Sequence, residues 1–346
     1  MNLLLIVAFL AGNLYKFSYV SPLDVIVGLM WIFMLPKILD RRNILLKSII
    51  GFTIVGVISL FMALLKFEYA QVVIGAMYLL RWIVYASLAG VTIQSIKVLP
   101  IIGIGIAVLG ISQYVFVPDL RFLEYWNWDP HYYRIVGTLL DPGFTGLILV
   151  LTLVFIVLNN YNKAWWLIVY IALALTYSRA SYLAFFTAFT WISYQKQNWR
   201  YGVFSILILG LTILILPRYS SGEGVKLERT STIWARVESW RKAWQIFSDN
   251  PIFGVGFNTY RYAQKASNDS HAGAGADSSL LLVLATTGIV GFLFYLKYLK
   301  SIWQLGMNNL LLSTSLVTIF VHSMFLNSLF YPAIMLWIAL LIPKKP

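Results

Sequence analysis

The chain has 346 residues, of which 60% are hydrophobic and 11% charged, with a mean hydropathy of +0.78 and a formal net charge of +13. Soluble domains carry about 25% charged residues, so water alone cannot cover this surface; the bilayer is the solvent and a single helical bundle over 1–346 is the natural unit. The chain has no cysteine, and its three histidines (His131, His271, His322) never pair at ligand spacing, which excludes disulfides and thiolate centres and argues against a zinc site.

A membrane helix needs about 20 mostly apolar residues. The spans expected on that basis are 2–16, 20–36, 46–65, 70–96, 98–116, 143–159, 164–177, 179–195, 200–217, 278–298, 307–325 and 328–343. This is an all-α polytopic membrane protein of about twelve helices, or ten or eleven if the short segments do not each cross. The segment after Met1 reads as the first span rather than a removed signal, since it lacks a basic start and a small-residue cleavage site.

Lysine and arginine in short loops set the orientation. With the N-terminus inside, the inner connections hold Lys37, Arg41, Arg42, Lys47, Lys97, Lys163, Lys196, Arg200, Lys297 and Lys300, and the tail holds Lys344 and Lys345. The short outer connections hold only Lys16 and Lys66. Both termini are therefore expected in the cytoplasm. The basic charge belongs to loops, not to a nucleic-acid surface. Two long connections, 117–142 and 218–277, fall outside; the second, between spans 9 and 10, is a large helical loop that carries the soluble chemistry.

Arg81 lies near the middle of the fourth span, where an ionised side chain is expensive and needs a partner. It is either a structural arginine on helix-end carbonyls or one completed by an anionic ligand. Arg179 sits in Thr176-Tyr177-Ser178-Arg179-Ala180-Ser181, at a break between two short spans. Ser178 is a fitting N-cap there. A helix N-terminus with an added arginine forms a phosphate site, unless the arginine only snorkels to headgroups. No carboxylate lies deep in any span, which speaks against an ion-driven transporter and for an anionic substrate.

Residues 230–250 read as a helix with Ile233, Trp234, Val237, Trp240, Trp244 and Phe247 on one face and Arg236 and Arg241 at its edges. Such a face lies in the membrane interface or caps the bundle. The turn Pro251-Ile252-Phe253-Gly254-Val255-Gly256 could present backbone amides to an anion; a dinucleotide site would need a strand and a third glycine. His271 is the sole histidine of the polar stretch 268–279 and is either a general base near the arginines or a solvated loop residue. Asp277 or Ser278 caps the tenth span. His322, mid-span, reads as a satisfied bundle histidine, and His131, beside Tyr132 and Tyr133, as an interfacial one.

Taken in order, Arg134-Ile-Val-Gly-Thr-Leu-Leu-Asp141-Pro142, Ser178-Arg179-Ala180, Arg236-Val-Glu-Ser-Trp240-Arg241-Lys242-Ala243, the Pro251–Gly256 turn and Asp277-Ser-Ser-Leu-Leu-Leu-Val-Leu-Ala-Thr-Thr-Gly288 resemble the O-antigen ligase and polymerase family over 130–295. The resemblance implies a metal-independent, cofactor-free membrane glycosyltransferase of the bacterial inner membrane. Such an enzyme passes a glycan from polyprenyl (undecaprenyl) pyrophosphate to an acceptor hydroxyl, on a glycan or glycolipid, with inversion, at the periplasmic or extracellular face. Carried onto this chain, Arg179 and Arg236 would bind the pyrophosphate, and a base at the entry of the tenth span would activate the acceptor; the charge reading above adds Arg241 and Arg81 as further pyrophosphate candidates. Ligases of the family place His followed by Asn or Ser at that entry. Here Asp277-Ser278 occupies it and His271 lies earlier, so the base is His271 or Asp277, and ligase and polymerase both remain open. The alternative is a transporter or flippase of lipid-linked saccharides.

Overall fold

The computed structural model describes residues 1–15, 19–40, 45–91, 93, 95–219, 222–264 and 275–342. Among them there is no strand, only an antiparallel bridge between Asp119 and Tyr132. In chain order the α-helices are α1 (Asn2–Ala11), α2 (Pro22–Ile38), α3 (Leu46–Ala63), α4 (Tyr69–Leu88), α5 (Val98–Phe116), α6 (Pro142–Leu158) and α7 (Lys163–Ala174). They continue as α8 (Arg179–Gln195), α9 (Arg200–Ile215), α10 (Ser231–Asp249), α11 (Tyr260–Ala263), α12 (Ser279–Gly306), α13 (Leu310–His322) and α14 (Pro332–Leu341).

Each of the twelve apolar segments carries a helix, but among the described residues only α3, α4, α5 and α12 are both long and apolar enough to cross a bilayer. Helices α1, α6, α7, α9, α13 and α14 are apolar but shorter, at 10–17 residues. A count of twelve crossings therefore rests on hydropathy rather than on helix length. Helix α4 stops at Leu88 instead of running to 96, because the chain turns at Ala89–Gly90, where the Gly90 amide donates to the Ser87 carbonyl at 3.0 Å.

The described residues form two compact units. The first comprises 1–26, 94–230 and 308–322. Its centre is α6, whose sequence has no polar face and which is buried from Pro142 to Ile156. A helix apolar all round must be surrounded, and α5, α7, α8 and α13 surround it. Its start is written locally. Asp141 accepts from the amides of Gly143 and Phe144 at 2.7 and 2.8 Å, and Pro142 takes a first-turn position that needs no N–H. Helix α13 packs on α8 and α6 with a buried polar row of Ser313, Thr314, Ser315, Thr318 and His322. A row of this kind needs protein rather than hydrocarbon beside it.

The second unit comprises 27–93, 231–307 and 323–346, with α12 packed on α3 and α10, and α14 on α4. Helix α12 is broken at Gly288 (φ 64, ψ −168). A break in an apolar helix orphans backbone groups at a cost of several kcal/mol each. Here the Pro251–Gly256 turn completes them. The Val255 and Gly256 amides donate to the Ala285 and Thr286 carbonyls, both at 3.0 Å. The Ile289 and Val290 amides donate to the Pro251 and Ile252 carbonyls at 2.8 and 3.3 Å. A Cβ at Gly288 would stand 2.3 Å from the Ile252 oxygen, and one at Gly254 2.3 Å from the Thr286 carbonyl carbon, with φ positive at both. The turn is thus a backbone splint for α12. The amides of Val255 and Gly256 are committed to it, not to an anion.

Helix α10 matches its predicted ends to a residue, but the face it packs is turned about a quarter-turn from the tryptophan stripe. Ser239, Trp240, Ala243 and Ile246 face the unit, against Tyr260, Ala276, Leu282 and Ala285 or through hydrogen bonds. Ile233, Trp234 and Trp244 stay 48%, 69% and 56% exposed.

Candidate functional site

In the first unit the site grows from the break between α7 and α8. Tyr177 adopts a left-handed backbone (φ 50), which ends one helix and lets the next begin at Ser178. Ser178 is the N-cap, as expected, its hydroxyl accepting from the Ser181 amide at 3.3 Å. Arg179 is then the first residue of α8, and its Nη1 donates to the carbonyls of Leu227 and Arg229 at 3.2 and 2.9 Å.

Two further arginines join it. Arg134 donates from Nε to the Thr176 carbonyl at 3.0 Å and from Nη2 to the Tyr177 carbonyl at 3.4 Å. Arg229 reaches the same Tyr177 carbonyl at 3.5 Å and the carbonyls of Gly224 and Lys226 at 2.8 Å each. Three guanidiniums thus meet around the carbonyls of 176–177 and 224–229, where α8 also points its N-terminus. Fixed positive groups of this kind suit a phosphate or diphosphate. Arg134 stood in a recognised sequence stretch, though without a role; Arg229 carried no signal beyond belonging to a charged loop segment.

Next to Arg134, His131 is buried rather than interfacial. Burial, and then the Arg134 charge, push its imidazole down from 6.5 to about 3, so it is neutral at physiological pH.

In the second unit, Arg236 and Asp277 share a neighbourhood. The Arg236 guanidinium lies 5.7 Å from the centroid of the Phe325 ring, and Trp240 packs on the same ring at 6.2 Å. Trp240 Nε1 donates to the Asp277 carbonyl at 3.0 Å, and the Asp277 amide donates to Ser239 Oγ at 3.0 Å. The backbone of Asp277 is therefore pinned on both sides by α10. Tyr260 donates to the Ser239 carbonyl at 3.4 Å; burial, and then the Asp277 charge, push its phenol up to about 12 and keep it a proton donor. Between the two cap candidates, Ser278 is the N-cap of α12, accepting from the Leu281 amide at 3.5 Å, which leaves the Asp277 carboxylate outside the capping bond.

The remaining sequence candidates are Arg241, Arg81 and His271. Arg241 points outward with its side chain 73% exposed and pairs with Glu238 at 3.2 Å. Arg81, on α4, holds its guanidinium 4.9 Å over the Tyr78 ring. His271 lies outside the described residues. Among the described residues no group of His, Cys, Asp and Glu could hold a metal ion. Trp240, Ser239 and Tyr260 were not singled out as site residues by sequence, because their part is to hold a backbone and leaves no motif.

Residues 164–296 match a family model described as O-antigen ligase. The matched segment runs from α7 through the α12 break and includes Arg179, Arg229, Arg236, the Pro251–Gly256 turn and Asp277. This segment is O-antigen ligase-like. No curated protein matches the chain.

Proposed function

From the O-antigen ligase match over 164–296 and the arginines it spans, we propose that the chain is a membrane glycosyltransferase. Its donor is a glycan on polyprenyl pyrophosphate and its acceptor a hydroxyl of a second glycan or glycolipid. The observation that carries this reading is the gathering of Arg134, Arg179 and Arg229 at the α7–α8 break. A diphosphate leaving group gains negative charge as its bond to the sugar breaks, and fixed guanidiniums stabilise that charge without reorganising.

In the proposed reaction the acceptor oxygen attacks the anomeric carbon from the side opposite the diphosphate. The bond from that carbon to the diphosphate oxygen breaks and its electron pair leaves with the polyprenyl pyrophosphate. The acceptor proton passes to a base, and the sugar inverts. Asp277 is the base we assign, since α10 fixes its backbone beside Arg236; His271 is the alternative. The arginines supply the charge stabilisation that a metal gives in other transferases, so the reaction is proposed to need none. Arg236 is proposed to bind pyrophosphate as the family resemblance implies; Arg241, paired with Glu238 on the exposed face, is assigned to lipid headgroups instead. The proposal keeps the twelve-crossing topology, with both termini cytoplasmic and the 218–277 loop on the outer face.

The test is turnover by purified protein. Polyprenyl pyrophosphate should be released when donor and acceptor are both present, and chelator should leave the rate unchanged. Donor binding without release, at any acceptor concentration, would overturn the assignment and favour a flippase.

A further inference from the structure

Helix α13 ends on His322, which is fully buried, and the row beneath it on the same helix is hydroxylic: Thr314, Ser315 and Thr318 are all buried. An ionisable side chain buried within a membrane bundle calls for a named partner. One partner here is Ser181 on α8, whose Oγ lies 3.4 Å from His322 Nε2. The same oxygen lies 2.8 Å from Ser178 Oγ and 3.1 Å from the Gly143 carbonyl of α6. A serine hydroxyl has a single hydrogen. The Gly143 carbonyl can only accept and claims it, which leaves the Ser178 hydroxyl and an Nε2–H of His322 to donate to the two lone pairs of Ser181 Oγ.

The chain of contacts runs from α13 through Ser181 to Ser178, the cap of α8 and the residue before Arg179. We infer that His322 is a positioning residue for the arginine site: it orients Ser181, Ser181 orients the Ser178 cap, and the cap fixes the turn from which Arg179 projects. The inference rests on the transferase reading only for its effect on turnover. The mechanical claim, that His322 holds the first turn of α8 through a donated hydrogen bond, stands by itself. Helix α8 has its most extensive packing with α13, so the contact is made by a framework able to hold it.

Glutamine can place an amide N–H near the Nε2 position of histidine, whereas phenylalanine fills the space without a donor. In full-length protein in lipid nanodiscs, His322→Phe should speed amide exchange in the first turn of α8 by about fivefold to tenfold, the scale of one lost hydrogen bond. His322→Gln should stay close to wild type. Transfer by His322→Phe should fall with it, and His322→Gln should recover most of the loss. Should His322→Phe fail to fold, Ser181→Ala removes the middle hydroxyl and should produce the same faster exchange. Equal exchange in the Gln and Phe variants, or a first turn unchanged by Ser181→Ala, overturns the inference. A wild type without turnover would count against the transferase reading, while the exchange comparison would still decide the role of His322.

Discussion

Lysine keeps the charge of Arg179 but not its planar fork, and it cannot reach two carbonyls and a diphosphate together. Arg179→Lys is expected to lower kcat/KM by about 100-fold, in the range of one lost donor at a charge-developing site, with the fold intact by circular dichroism. Arg134→Lys and Arg229→Lys should fall with it, since Arg134 and Arg229 share the Tyr177 carbonyl and Arg179 donates to the Arg229 carbonyl; activity undiminished in both would separate them from the site. Asp277→Asn should abolish turnover while His271→Gln leaves most of it, and the reverse would move the base to His271. His131 gives a separate pH signature. Its folded pKa lies near 3, below the unfolded 6.5, so the unfolded chain binds the proton first. The fold is at full strength above about pH 6.5 and loses on the order of 4 kcal/mol as pH falls toward 3. A His131→Gln variant should lack that part of the acid loss in pH-dependent melting. The positions of Arg179 and Asp277 at helix entries were legible because Ser178 and Ser278 beside them are cap residues. Arg229 and the His322–Ser181–Ser178 contacts were not, because they depend on which loop carbonyls and helix faces meet, and a single sequence does not encode that by spacing.

The helices themselves were legible, to within a few residues at most ends, because an apolar run in lipid has little alternative to a helix. What hydropathy could not show is that α12 is broken and that the Pro251–Gly256 turn completes it, since both partners use backbone rather than side chains. The consequence is sharp. Gly288→Ala and Gly254→Ala each place a methyl group against backbone at a positive φ, and each should destabilise the protein by about 3 kcal/mol or more in thermal melts. Gly210→Ala, on α9 with open space around its Cβ, should be neutral or slightly stabilising. Comparable losses at all three positions would contradict the splint. Helix α10 shows another limit of pattern reading. Its tryptophan stripe was evident, but the face that packs was set by Ala243 and Ser239, which allow close approach. The exposed Trp234 and Trp244, with Arg241 and Lys242 beside them, fit a membrane interface. The chain has no cysteine, so Trp234→Cys and Trp244→Cys each give a unique labelling position. A polarity-sensitive probe at either should be quenched by spin-labelled lipid in nanodiscs. A probe that reports bulk water would place this face away from the bilayer.

At the scale of the whole molecule, composition alone pointed to a membrane, and the order of weak motifs pointed to the family whose model residues 164–296 match. The proposed topology rests on the lysine and arginine map, since among the described residues only four helices are long and apolar enough to cross by themselves. The proposed chemistry depends on that topology, because the donor diphosphate must meet the arginines on the side opposite the termini. Proteoliposomes in which protease accessibility of the termini defines one orientation, supplied with lipid-linked donor and a membrane-impermeant acceptor, test both together. A new glycosidic bond and equimolar release of polyprenyl pyrophosphate are expected only when acceptor is on the face away from the termini, and at a rate about 100-fold lower with Arg179→Lys. Translocation of the labelled glycan across the bilayer with no new bond formed would contradict the transferase reading.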